Sequence, residues 1–386
     1  MNIFKKPLKA VVSRLKLKPK ACILGLLDAS VCISYILAIP APIWYAGVLV
    51  GKMILAKKYG ASKTRLLHLT PFIVLVSISL LYTALSDGEN LTEVINIGGF
   101  IISLAMSVSL LRKEETSEYI YFMALVGFTT ATTYLMLASV NLIPDHYGRL
   151  MFFNGSHPNL GGETFAIFTV AALLSFKRAG FWLSWIPLTA GIYLMQARAA
   201  LLVAIAVLAI YLWWQLKSSG RNKLTYIMLI FAATISSLIL SGQYLLTSLE
   251  NIFLMSDESR GMGTGFVGRE ERWGQALDIF YENPFLGGGF AAFDKEGLLT
   301  PHNYFLAGIS YMGMLSIPLF AYLFACIFRA YKSNKHTLIA FSPLLILMIF
   351  NDRFLNMNPY PFTAYVIIFV LSSRTAGLKP TTSNNL

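Results

Sequence analysis

Apolar runs close to the roughly 20 residues needed to cross a hydrocarbon layer recur along almost the whole chain. Twelve can be marked, at 21–39, 41–56, 66–86, 91–111, 118–139, 160–176, 179–196, 199–215, 224–241, 303–328, 337–353 and 360–373. The second and the last are short and fit a tilted or re-entrant piece. Charged residues make up 13% of the chain, about half of the roughly 25% that a soluble chain carries. The expected fold is an all-α polytopic membrane protein with about twelve transmembrane helices.

Lysine and arginine resist translocation and so report orientation. With the N-terminus in the cytoplasm, Arg149, Arg198, Arg260, Arg269, Arg272, Lys295 and Arg353 fall on the outer side and Lys52 within a span, while every other basic residue falls inside. Both termini are therefore expected to be cytoplasmic. The chain divides into a basic N-terminus (1–20), nine spans (21–241), a large outer loop (242–302), three spans (303–373) and a tail (374–386). The net charge of +12 follows from this topology and calls for no nucleic acid. The basic stretch "KKPLKAVVSRLKLKPK" also meets anionic lipid headgroups. A signal peptide shares its basic and apolar regions, but the apolar run here is long and holds Asp28, so a retained span is expected. Cys22, Cys32 and Cys326 all fall in spans, so neither a disulfide framework nor a zinc site is expected. No Walker loop is present and the glycine runs lack a βαβ setting, so no cofactor is expected.

Transporters of this span count usually have two similar halves and charged residues deep in their spans. No repeat relates the halves here, and only Asp28, Lys52 and Glu163 are charged within spans, Glu163 close to an end. The polar chemistry gathers on the outer side instead, in "LIPDHYGRLMFFNGSHPNLGGE", "QARAALL", the long loop and "NDRFLNMNPYP". All the outer basic residues except Lys295 are arginines, whose planar fork grips phosphate at two points as lysine cannot.

Within the long loop, "GREERWGQALDIFYENPFLGGGF" predicts an amphipathic helix of about 14 residues. Trp273, Ala276, Leu277 and Phe280 fall on one stripe, Glu270 and Glu271 favour the first turn, and Asn283-Pro284 ends it. Arg269, Arg272 and Trp273 then cluster at its N-terminal end, beside free backbone N–H groups. The cluster fits a diphosphate cradle; it equally fits an interfacial helix seated among headgroups. The three glycines of "LGGGF" allow close backbone approach or a hinge. His302 in "PHNYFL" sits at the outer rim, suited either to take a proton from a hydroxyl or to a structural role, with Asn303 beside it to orient it or bind a sugar. His157, Asn159 and Glu163 read as a helix cap or as sugar contacts. Arg198, at the end of a span, either snorkels to headgroups or faces a ligand.

The set "QARAALL", "GTGFVGREERW…ENPFLGGGF" and "PHNYFL" resembles the O-antigen ligase and O-antigen or exopolysaccharide polymerase superfamily, over about residues 155–315. The resemblance implies a GT-C-like membrane fold whose large periplasmic loop contains short amphipathic helices, in the bacterial inner membrane. It implies a metal-independent, inverting glycosyltransferase that moves a glycan from undecaprenyl diphosphate to a sugar hydroxyl on the periplasmic side. By motif, Arg198, Arg269 and His302 are the implied catalytic residues. Arg198 and Arg269, with Arg272 added, bind the donor diphosphate, and His302 activates the acceptor. Asn303, His157 and Asn159 are taken as substrate-binding. The acceptor is a lipid-linked repeat unit in a polymerase and lipid A–core in a ligase; "GMGTGFVGREERW" looks more like the polymerases. No metal is implied: the first outer loop, "PAP", lacks the carboxylates of metal-dependent oligosaccharyltransferases, although Asp257 and Glu258 have cation-binding chemistry. A flippase or other transporter is the rival from another class.

Overall fold

The computed structural model describes residues 5–86, 91–146, 149–218, 269–295, 297–298, 300–350, 355 and 359–373. In chain order the helices are α1 (Lys5–Leu17), α2 (Pro19–Ala29), α3 (Val31–Ile36), α4 (Ala41–Tyr59), α5 (Lys63–Ser86), α6 (Leu91–Leu110), α7 (Thr116–Ser139), α8 (Pro158–Ser175), α9 (Ala179–Leu194), α10 (Arg198–Ser218), α11 (Arg269–Glu282), α12 (Ala292–Lys295), α13 (Tyr304–Met312), α14 (Ser316–Ser333), α15 (Lys335–Phe341), α16 (Leu344–Phe350) and α17 (Pro359–Ser372). The only named strands among the described residues form a two-residue antiparallel ladder, Asp145–His146 against Arg149–Leu150.

Six helices among the described residues are long and apolar enough to cross a membrane: Pro19–Ile36, Lys63–Ser86, Thr92–Leu110, Lys113–Ser139, Arg198–Ser218 and Tyr304–Ser333. Ala179–Leu194, Lys335–Phe350 and Tyr360–Ser372 are shorter apolar helices. The chain is a helical multi-pass membrane protein. The run expected to span at 224–241 lies outside the described residues, as does the loop up to 268, with Asp257, Glu258 and Arg260.

α8 forms the centre. It is buried on every side from Leu160 to Leu173, as suits a helix apolar all round, and it packs against α7, α9, α10 and α17. Lipid gives helices no hydrophobic push towards one another, so close backbone approach at small residues takes its place. Gly127 of α7 lies so near Phe168 that a Cβ there would meet the side chain at 2.3 Å, and one on Gly191 of α9 would meet Phe165 at 2.5 Å.

Bonds between the connections sort the two ends of the bundle. At the lysine-rich end, Lys18 pairs with Glu118 (3.0 Å), Lys20 with Glu115 (2.9 Å), and Arg65 donates to the Ser109 carbonyl (2.6 Å). The residues that the sequence marks as chemical lie at the opposite end, reached by α5 at Thr83, whose hydroxyl accepts from the Phe290 N–H (3.0 Å).

Two runs expected as continuous helices are broken. The 303–328 run divides at Gly313, which has φ 56° and would place a Cβ 2.5 Å from the Gly287 nitrogen and from the Pro284 carbonyl oxygen. The break makes room for the "NPFLGGG" turn, which bonds to it through Met314 N–H to Pro284 (2.7 Å) and Gly288 N–H to Ser310 (2.8 Å). The 337–353 run divides at Ser342-Pro343, because proline cannot continue an established helix.

Asp28 and Lys52 meet inside the bundle as an ion pair between α2 and α4, both side chains fully enclosed. The second carboxylate oxygen accepts from Ser107 (3.0 Å) and Tyr119 (2.9 Å). Lys52 also bonds Ser103 and sits 4.6 Å from the centre of the Phe362 ring. Removing one partner strands a charge where no water reaches. Lys52→Met alone is expected to lower stability by about 3–5 kcal/mol, whereas Asp28→Asn with Lys52→Met recovers most of that loss; thermal unfolding of the detergent-solubilised protein measures both.

Candidate active site

Arg198 opens α10 and Arg269 opens α11. Arg272 follows one turn later on the same face. Arg269 is half-buried, and its pKa is held below the ordinary value by that burial and then by the positive charges of Arg198 and Arg272. The guanidiniums of Arg198 and Arg272 are thus each within electrostatic reach of Arg269, although Arg198 opens a different helix far away in sequence. The Arg269 guanidinium also sits 5.2 Å from the centre of the Phe350 ring, at the end of α16.

α11 spans the residues that its pattern predicts, and Trp273 anchors it. The indole N–H donates to the Pro301 carbonyl (2.9 Å), and Ser310 of α13 donates to the Ala276 carbonyl (2.8 Å). The buried face carries Ala276 and Ile279, while Leu277, expected on the stripe, is exposed. α11 lies on α13 with backbones close, which favours alanine at the contact and turns the bulkier leucine outward.

His302 stands between two pinned neighbours. Pro301 is held by Trp273, and Asn303 caps α13, its side-chain oxygen accepting from the Phe305 and Leu306 N–H groups (3.0 and 3.1 Å). The Asn303 amide nitrogen donates to the Ile349 carbonyl (3.4 Å), next to Phe350. His302 itself adopts φ 47°, a left-handed backbone that non-glycine residues hold only where their surroundings impose it, and such residues concentrate at functional sites. The α11 N-terminus, residues 301–303 and residues 349–350 therefore converge.

His157 and Asn159 lie at the start of α8, both exposed. His157 is the N-cap, its Nδ1 accepting from the Asn159 N–H (3.2 Å), and the Asn159 oxygen accepts from Arg149 (2.9 Å). The cap-and-turn arrangement is therefore present. Glu163, one turn further on, is buried and within electrostatic reach of Tyr360.

An apolar cleft of about 410 Å³ begins beside this site, lined by Tyr304, Phe305, Phe320, Phe324, Met348 and Tyr360 among others. It continues along α14 to Tyr331 and reaches Leu338 of α15, towards the lysine-rich end. Tyr304 directly follows Asn303, and Met348 lies two residues before Phe350.

Residues 179–321 match the family model described as O-antigen ligase. Over this stretch the chain is similar to that family. The matched stretch contains Arg198, Arg269, Arg272, His302 and Asn303, while His157 and Asn159 lie outside it. No curated protein matches the chain. The glycine run at 287–289 serves close packing: Gly287, at φ 71°, would place a Cβ 2.5 Å from the Ser310 carbonyl oxygen, whereas Gly297, beyond the run and at φ 64°, faces open space. Gly287→Ala is expected to destabilise the loop by about 1–3 kcal/mol and expose α11 to protease. Gly297→Ala, strained but unclashed, should do so less, and limited proteolysis ranks the two.

Proposed function

We propose that the chain is a glycosyltransferase of the bacterial inner membrane. It moves a glycan from undecaprenyl diphosphate to a sugar hydroxyl and polymerises O-antigen or exopolysaccharide repeat units. The carrying observation is that Arg269 lies within electrostatic reach of Arg198 and Arg272 on a helix start that Trp273 ties to Pro301, the neighbour of His302, while an apolar cleft is lined by the adjoining Tyr304 and Met348. A diphosphate relieves the repulsion among the guanidiniums, and the cleft offers the isoprenoid tail an apolar surface. In this reading both termini are cytoplasmic, the site is periplasmic and the chain has about twelve spans in all.

In the reaction, the acceptor oxygen attacks the anomeric carbon as the bond to the phosphate oxygen breaks, which inverts that centre. His302 takes the acceptor proton, for which a general base contributes about 10²–10⁴-fold. The arginines stabilise the diphosphate as its charge grows, by roughly a few kcal/mol each, and fill the role that a metal has elsewhere. His157, Asn159 and Asn303 offer polar groups to the sugars at the rim. The ligase alternative, with lipid A–core as acceptor, uses the same site. A flippase differs in depending on a path through the spans.

Arg198→Ala, Arg269→Ala and His302→Ala are each expected to reduce glycan transfer by at least about 100-fold while the protein still inserts. Arg269→Lys should fail as well, since lysine makes a one-point contact. Complementation of a deletion strain measures this, and wild-type surface glycan from all three alanine variants would sink the proposal. The glycan profile of the deletion strain separates the two transferases: single repeat units mark a lost polymerase, and bare lipid A–core with stranded polymer marks a lost ligase.

A further inference from the structure

We propose that Arg149 is a positioning residue that sets the orientation of Arg198, an inference that rests on Arg198 gripping the donor diphosphate. Arg149 lies in the short ladder before α8, outside the stretch that matches the family model. Its guanidinium spans the turn between α9 and α10. Nε and Nη2 both donate to the Met195 carbonyl (3.2 and 3.1 Å), and Nη2 also reaches the Gln196 carbonyl (3.4 Å). The Asn159 oxygen holds Nη2 from the α8 side (2.9 Å).

The turn that it grips is a demanding one. α9 ends in a Schellman arrangement, with the Gln196 N–H bonded to the Tyr193 carbonyl (2.9 Å) and the Ala197 N–H to the Ile192 carbonyl (3.2 Å). The position that takes the left-handed backbone is normally glycine, but here it is Gln196 at φ 48°. α10 starts two residues later, and its first side chain is Arg198. The Met195 and Gln196 carbonyls belong to a helix C-terminus, whose acceptors lack intrahelical partners and carry partial negative charge that a cation stabilises. Only an arginine fork serves both carbonyls and Asn159 at once. Gly162 of α8 backs the turn from behind, so near that a Cβ would meet Ala197 at 2.2 Å. Release of the clamp lets Gln196 relax out of its left-handed conformation and swings the first turn of α10, and the guanidinium of Arg198 moves with it.

Binding of undecaprenyl diphosphate to the purified full chain in detergent tests this, with the folded fraction of each variant measured by size-exclusion chromatography. Arg149→Ala is expected to weaken binding per folded molecule by roughly 10–100-fold, the scale set by a small misplacement of a binding group. Arg149→Lys, with a one-point contact, recovers part of the loss, and it carries the test should the alanine variant fail to fold. In a double-mutant cycle, Arg149→Ala added to Arg198→Ala should weaken binding no further, because the two act through one contact. A residue that only holds the fold lowers the folded fraction and leaves the affinity of folded molecules at the wild-type value; that result, or additive losses in the double variant, overturns the inference. Loss in Arg198→Ala with wild-type affinity in both Arg149 variants overturns it alone. Wild-type affinity in Arg198→Ala overturns the diphosphate assignment and this inference together.

Discussion

Guanidiniums brought within reach of one another repel, and the fold must supply the free energy that keeps Arg198, Arg269 and Arg272 together. Several contacts contribute. The Phe350 ring faces Arg269, and a cation over an aromatic face is worth about 0.5–2 kcal/mol depending on how dry the site is. Trp273 ties α11 to Pro301, and the "NPFLGGG" turn is bonded into the break between α13 and α14. The Phe350 contact meets one of the charges directly, whereas the other two lie away from them and hold the elements around the helix start. The cluster is thus built by the ends of helices rather than along their sides, which keeps charge out of the apolar interior while the helix bodies pack.

Much of this architecture can be read in the residues. The apolar runs mark the helices, and the limits of α11 follow from its first-turn acids and Asn283-Pro284. The arginines that the hydropathy reading assigns to the outer side stand out because such a placement runs against the topological bias. Less legible are the features that depend on contacts distant in sequence. The break at Gly313 exists because Gly287 passes against it, and no periodicity within 303–328 carries that information. Phe350 reads as one more apolar residue at the end of a span, and only the packing of α16 places its ring at Arg269. The stripe of α11 indicates an apolar face but not that α13 approaches closely enough to favour Ala276 over Leu277. Asp28 and Lys52 are visible as charges in spans; their pairing depends on how α2 and α4 are rotated.

The rim residues show how capping and recognition share a vocabulary. Asn303, His157 and Asn159 have the chemistry expected of sugar contacts, yet all three bond protein groups in this structure. Side chains that cap helices and side chains that bind hydroxyls are the same polar types, so composition alone does not separate them. The left-handed backbone of His302 is the more discriminating sign, since no cap requires it.

The Asp28–Lys52 pair also bears on how the chain reaches its final form. Each charge alone is costly inside a bilayer, and the two sit on α2 and α4, which have only the short α3 and its flanking residues between them. Neither α2 nor α4 is well suited to wait in lipid for a later partner. The first helical hairpin is best delivered to the bilayer as one unit, its opposite charges neutralised at the moment of entry, before the remaining helices are made.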